Sequence, residues 1–128
     1  MGQKVLVFGD IGIDDTLAII YSYLSDEIDL AGVVADYGNI PRKNAVRTIQ
    51  YVTDLFPTSE SQSLQIFAGA EIPMTAEIPT YVTEIHGPFG LGPIIPPLET
   101  EEVFNENFYD VVSLIRENLD DLVIVNIG

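Results

Sequence analysis

Apolar positions along the chain fall into short continuous runs that alternate with longer stretches of helical spacing. Lys4 to Phe8 is a β-branched and apolar run closed by Gly9-Asp10, which predicts a buried strand. Leu17, Ile20, Tyr21 and Leu24 then recur on one face of a predicted helix that opens with Asp14-Asp15. Acidic side chains in a first turn suit the positive end of the helix dipole. A second strand, Leu30 to Ala35, ends at Asp36-Tyr37-Gly38-Asn39. A second helix begins near Pro41, a residue suited to a first helical turn. It turns Ala45, Ile49, Val52 and Phe56 inward and is closed by Pro57. Residues 57–63 read as a loop and Leu64 to Phe67 as a third strand. A further helix over Phe108 to Leu119 packs through Val111, Val112, Ile115 and Leu119. A last strand, Leu122 to Val125, runs into Asn126-Ile127-Gly128.

This alternation predicts one α/β domain over residues 1–128, with a mostly parallel, Rossmann-like sheet and helices on both faces. Residues 71–100 interrupt it. Six of the eight prolines fall between Pro73 and Pro97, with Gly87, Gly90 and Gly92 among them. An irregular stretch of this length in a compact domain reads as a functional flap.

Composition narrows the partners. Lys and Arg number 5 against 20 Asp and Glu, a formal net charge of -15. Such a surface repels nucleic-acid phosphates and anionic membranes alike. The chain has no cysteine, so disulfides and thiolate metal sites are excluded. The apolar stretch near the N-terminus is too short for a signal segment, and no apolar run approaches the ~20 residues of a membrane span. A cytoplasmic protein is expected. The apolar fraction of 47% and mean hydropathy of +0.26 are high for one small domain. Buried parallel strands, apolar on both faces, account for this equally as well as surface covered by another subunit. A homo-oligomer is the expectation, since a terminal strand leaves an edge that invites pairing.

In open α/β sheets, ligands bind beyond the carboxyl ends of the strands. Asp10 follows the first strand, Asn39 the second and Ile127 the last, so separate passes of the chain deliver polar groups to one edge. Asp10, Asp14 and Asp15 share one tight turn, where carboxylates in proximity repel by a few kcal/mol per pair at an effective dielectric near ~20. A hard cation such as Ca²⁺ or Mg²⁺ relieves that repulsion. Equally, Asp14 and Asp15 cap the helix while Asp10 bonds the turn. A calcium loop of the EF-hand type fails, because it requires Glu where Tyr21 stands, and no GxxxxGK[ST] phosphate loop is present. The opening VLVFGDIGID is similar to the first strand of ribokinase-like sugar kinases, but the GG pair and Asn that follow in those enzymes are absent.

Several segments in order resemble the inosine–uridine-preferring nucleoside hydrolases. Phe8 to Asp15 resembles that family's DxDxGxDD turn, and Gly38-Asn39 with Asn44, Ala45 and Arg47 its GN segment. Phe67-Ala68-Gly69-Ala70 is similar to "YAGA", His86-Gly87 with Gly90-Leu91-Gly92 to the "HGxxGLG" flap, and Leu122 to Gly128 to the strand entering "GPLTN". The resemblance implies hydrolysis of the N-glycosidic bond of ribonucleosides to ribose and free base by a water held on Ca²⁺. It implies that Asp10 is the general base and a metal ligand, that Asp15 and the Ile127 carbonyl are further ligands, and that Asp14, Asn39 and His86 contact the nucleoside. Phe8 departs from the pattern, standing where the motif has its first Asp. The family continues beyond the matched segments with another Asp ligand and a ribose-contacting Asn. The expectation is therefore an N-terminal part whose cation site is weak and whose own activity is low. The alternative is a non-catalytic fragment that folds and oligomerises.

Overall fold

The computed structural model describes residues 2–56, 64–97 and 108–128. The predicted loop at 57–63 and the last three residues of the predicted flap lie outside them. In chain order the elements are β1 (Gln3–Gly9), α1 (Ile13–Leu24), β2 (Ile28–Ala35), α2 (Arg42–Leu55), β3 (Gln65–Ala68), α3 (Thr83–His86), α4 (Phe108–Glu117) and β4 (Leu122–Asn126). The strands form one sheet in the order β3-β2-β1-β4, and every neighbouring pair is parallel. The chain thus builds outward from β1 through β2 to β3, then returns to lay β4 on the other side of β1. That reversal places a crevice beyond the carboxyl ends of β1 and β4.

Helices cover both faces, as the alternation predicts. On one face Val5, Val7, Leu30, Val33 and Ala35 pack with Ile19 of α1 and with Ala45, Val46 and Ile49 of α2. On the other, Leu6, Val34 and Phe67 pack with Val111 and Leu114 of α4. A bulge sets the phase of β2. Val5 pairs with Leu30 but Leu6 pairs with Gly32, leaving Ala31 as an extra residue. Because side chains alternate with period two, that insertion keeps Leu30, Val33 and Ala35 on the same side. Among the described residues no helix is long and apolar enough to cross a membrane.

Helix α2 buries Ala45, Ile49 and Val52 as predicted, although Phe56 at its C-terminal end is 39% exposed. In α4, Val111 and Leu114 are buried, while Leu119 lies past the helix end and is exposed. In α1 the apolar face read from the sequence is not the buried face. Its buried residues are Asp15, Thr16 and Ile19, whereas Leu17, Tyr21 and Leu24 are exposed. The helix is rotated by its polar anchors. The Asp15 carboxylate accepts the Ile11 N–H, and the Thr16 hydroxyl reaches the Gly12 and Gly90 carbonyls.

Candidate active site

Main-chain bonds beyond the strand ends stitch three segments side by side. The Asp36 N–H donates to the Gly9 carbonyl at 2.9 Å, and the Ile127 N–H donates to the Phe8 carbonyl at 2.9 Å. Asp10, the 36–39 segment and Ile127 therefore share one edge of the sheet, where the strand order places the crevice.

The turn after β1 is strained. Ile11 has φ 53, a left-handed conformation costing a β-branched residue about 1–3 kcal/mol. Two features hold it there. Its side chain is completely buried, and its N–H donates to the Asp15 carboxylate at 2.9 Å. Asp15 is fixed in turn, and only 2% of it is exposed. Its carboxyl lies close enough to that of Asp10 for the two to interact. Burial, then the Asp10 hydrogen bond and charge, then the Asp14 charge push the Asp15 pKa from 3.8 to about 7, against a lowering contribution from the Gly12 backbone. A proton on Asp15 near neutral pH relieves part of the repulsion among the neighbouring carboxylates.

Asp10 is itself oriented from β2. Its Oδ2 accepts the Asn39 N–H at 3.0 Å, and a Cβ at neighbouring Gly38 would overlap the Asp10 carboxylate. Gly12 likewise leaves no room for a side chain. A Cβ there would lie 2.6 Å from His86 Nδ1 and 2.8 Å from Asn39 Nδ2. Asn39, Gly12 and His86 thus converge. Asp14 diverges from Asp15 and is largely exposed, its Oδ1 4.0 Å from His86 Nδ1. The structure accordingly gathers Asp10, Asp15, Asn39 and His86 around one turn, with Asp14 at its rim and the Ile127 backbone at its edge.

Sequence reasoning missed Asp36. This half-buried carboxylate accepts the Ala70 N–H at 3.0 Å. Burial raises its pKa, the Ala70 bond opposes this, and the Asp10 charge adds to the rise. In the linear sequence it is one more polar residue in a turn, and no spacing separates it from its neighbours. The strain at Ile11 was equally invisible, since nothing in its residue type calls for a left-handed backbone.

As a cation site the edge is partial. Among the described residues no three His, Cys, Asp or Glu side chains gather as a metal-holding set. Asp10 and Asp15 nevertheless present hard oxygen donors in contact, the chemistry that fits Ca²⁺ or Mg²⁺, with main-chain oxygens and water able to fill further positions.

A parallel sheet with a carboxylate turn at its switch point is a frame on which α/β proteins place small-molecule sites, and the family is shown by its relatives. The profile of the inosine-uridine preferring nucleoside hydrolases matches residues 5–128, and the chain belongs to that family. The inosine-uridine preferring nucleoside hydrolase of Crithidia fasciculata is 29% identical over 106 residues, covering 83% of this chain and 32% of that one. Uridine nucleosidase 1 of Arabidopsis thaliana is 28% identical over 98 residues, 74% of this chain and 28% of its own length. The purine-preferring ribonucleoside hydrolase from Gardnerella vaginalis superposes with a TM-score of 0.82 at 28% identity, over 98% of this chain and 40% of that structure. The chain thus spans about a third of the length of these curated relatives.

Proposed function

We propose that this chain forms the cation-holding and water-activating part of a centre that hydrolyses ribonucleosides to ribose and free base. The contact between the Asp10 and Asp15 carboxyls is the observation that carries this reading. It leaves two adjacent acids whose mutual repulsion a divalent cation relieves. Asp10 and Asp15, with the Ile127 carbonyl, would hold Ca²⁺, which when bound would lower the pKa of a water at the site.

Asp10 takes the proton from the attacking water, with its Oδ2 kept in place by the Asn39 N–H. The water oxygen bonds to the anomeric carbon as the bond to the base nitrogen breaks, and the bonding pair leaves with the base, which takes up a proton from solvent. Positive charge develops on the ribose in this oxocarbenium-like passage, and the carboxylates beside it favour that charge. Asp14 and Asn39 at the rim bind ribose hydroxyls, and His86 lies against the same turn. The exposed apolar residues Val123, Ile124 and Val125 of β4 are surface that the remaining length of the family's fold or another copy would cover.

The test measures ribose release from inosine and uridine with and without Ca²⁺. It compares the 128-residue chain with a chimera in which Gly128 leads into the remainder of the Gardnerella vaginalis relative. The chain alone releases little ribose, because the fold of its relatives extends well beyond the matched part. The chimera is calcium-dependent, and Asp10→Asn lowers its turnover by ~10²–10⁴, the usual contribution of a positioned base. Asn39→Ala costs less, roughly tenfold, since it removes a contact and neither the base nor a ligand. A chimera that folds without cleaving either nucleoside supports the non-catalytic reading instead.

A further inference from the structure

We propose that His86 is a positioning residue that caps α1 from outside the helix and locks the 82–92 segment onto the turn bearing Asp14 and Asp15. A helix leaves its first N–H groups without partners, and a side chain at the N-cap ordinarily accepts one of them. The N-cap of α1 is Gly12, which makes no side-chain cap. One remote acceptor takes its place, while a carboxylate within the helix reaches back to the N–H ahead of the cap. Asp15 takes the Ile11 N–H, and His86 Nδ1, 73 positions along the chain, takes the Ile13 N–H at 3.0 Å.

The absence of a Cβ at Gly12 is what admits the ring. His86 Nδ1 and Cε1 would lie 2.6 and 2.7 Å from that atom. The segment carrying His86 is in turn clamped on several sides. The Val82 N–H donates to the Asn39 carbonyl at 2.9 Å, and the Gly92 N–H donates to the His86 carbonyl at 3.0 Å. Asn44 Nδ2 donates to the Pro88 carbonyl at 2.8 Å and the Thr48 hydroxyl to the Phe89 carbonyl at 2.6 Å. The imidazole is thus the contact from this clamped segment to the first residue of α1. Accepting at Nδ1 requires that nitrogen to carry no proton, so the ring is the Nε2–H tautomer. Its Nδ1 is occupied by the helix end, which leaves Nε2 as the only ring nitrogen available to a ligand.

The inference is independent of the reaction proposed above, and its test uses neither nucleoside nor cation. In the isotopically labelled 128-residue chain, the two ring nitrogens of His86 are assigned by long-range nitrogen–proton correlation. Exchange of the Ile13 amide is then followed in the chain, in His86→Ala and in His86→Asn. The expected result is an Nε2–H ring, with Ile13 exchange roughly tenfold faster in the alanine variant, the equivalent of one ordinary hydrogen bond. Asn, whose side-chain oxygen can stand where Nδ1 does, restores slow exchange, while the Leu6 and Val33 amides of the core stay unchanged in all three. An Nδ1–H ring in the unaltered chain overturns the proposal, and so does Ile13 exchange that is equal in all three proteins. If His86→Ala fails to fold, the tautomer in the unaltered chain decides alone.

Discussion

Helices α1 and α2 lie on the same face of the sheet, carry comparable apolar residues and treat them in opposite ways. In α2 the apolar side is the buried side, and Ala45, Val46, Ile49 and Val52 meet the sheet. In α1 the buried residues are Asp15, Thr16 and Ile19, of which only Ile19 joins the core against the sheet, while Ile13, Leu17, Tyr21 and Leu24 are exposed. Apolar burial sets the rotation of α2, at ~1.5–3 kcal/mol for each large side chain. The rotation of α1 is set by polar contacts in its first turn, where the candidate site is. A helix that serves the site gives up its best packing face, and that face becomes available to other surfaces.

The contrast is broken most directly by truncating one residue on each helix. Ile49→Ala should cost about 2–5 kcal/mol, since it empties a fully enclosed position. Leu17→Ala should stay within ~0.5 kcal/mol, as for an ordinary surface change. Urea denaturation of the two variants checks both values. A Leu17 penalty comparable to that of Ile49 contradicts the rotation described here.

Filling the gap at Gly12 comes next in size. A methyl group there forces His86 and Asn39 away from the turn, and crowding of this kind typically costs ~1–3 kcal/mol. Gly12→Ala should lower the melting temperature and release the Ile13 amide, whereas Gly92→Ala meets no neighbouring atom and is disfavoured only by its φ of 61. Equal losses at both glycines would argue against the close approach.

A third effect follows pH. Folding raises the Asp15 pKa from 3.8 to about 7, so between those values the folded chain holds a proton that the unfolded chain has released. The stability contributed by this group is therefore full below its ordinary value and is lost as pH rises through about 7. Thermal melts of the metal-free chain should fall across that window, and Asp15→Asn should flatten the slope. Saturating Ca²⁺ should oppose the loss at the upper end, because it stabilises the ionised pair. The smallest effect concerns association. Replacing Leu17 and Tyr21 by Lys should leave stability nearly unchanged, as for exposed positions, and should lower any self-association seen in sedimentation if this face carries it.

Element positions were legible in the sequence because each rests on local periodicity. Val5 and Val7 alternate with Leu6 and Phe8, and α2 repeats at helical spacing. The order of the strands was not, since nothing in the sequence says on which side of β1 the last strand returns. At the site, the turn and its resemblance drew attention to Asp10, Asp15 and Asn39, whose roles rest on that resemblance. The α1 rotation was not foreseen. Helical spacing identifies an apolar face but gives no weight to a buried carboxylate that accepts the Ile11 N–H. Asp36 escaped for a related reason, as its burial depends on the Gly69-Ala70 segment packing over it.

We propose that Asp10 and Asp15 hold a divalent cation, and that Asp15 carries a proton when no metal is bound. Calorimetric titration of Ca²⁺ into the chain at pH 7, in two buffers of different ionisation heat, tests it directly. The account predicts binding with a Kd of about 10⁻³ M or tighter, coupled to release of part of a proton and abolished in both Asp10→Asn and Asp15→Asn. Binding that survives Asp15→Asn, binding without proton release, or no binding at that concentration would contradict it.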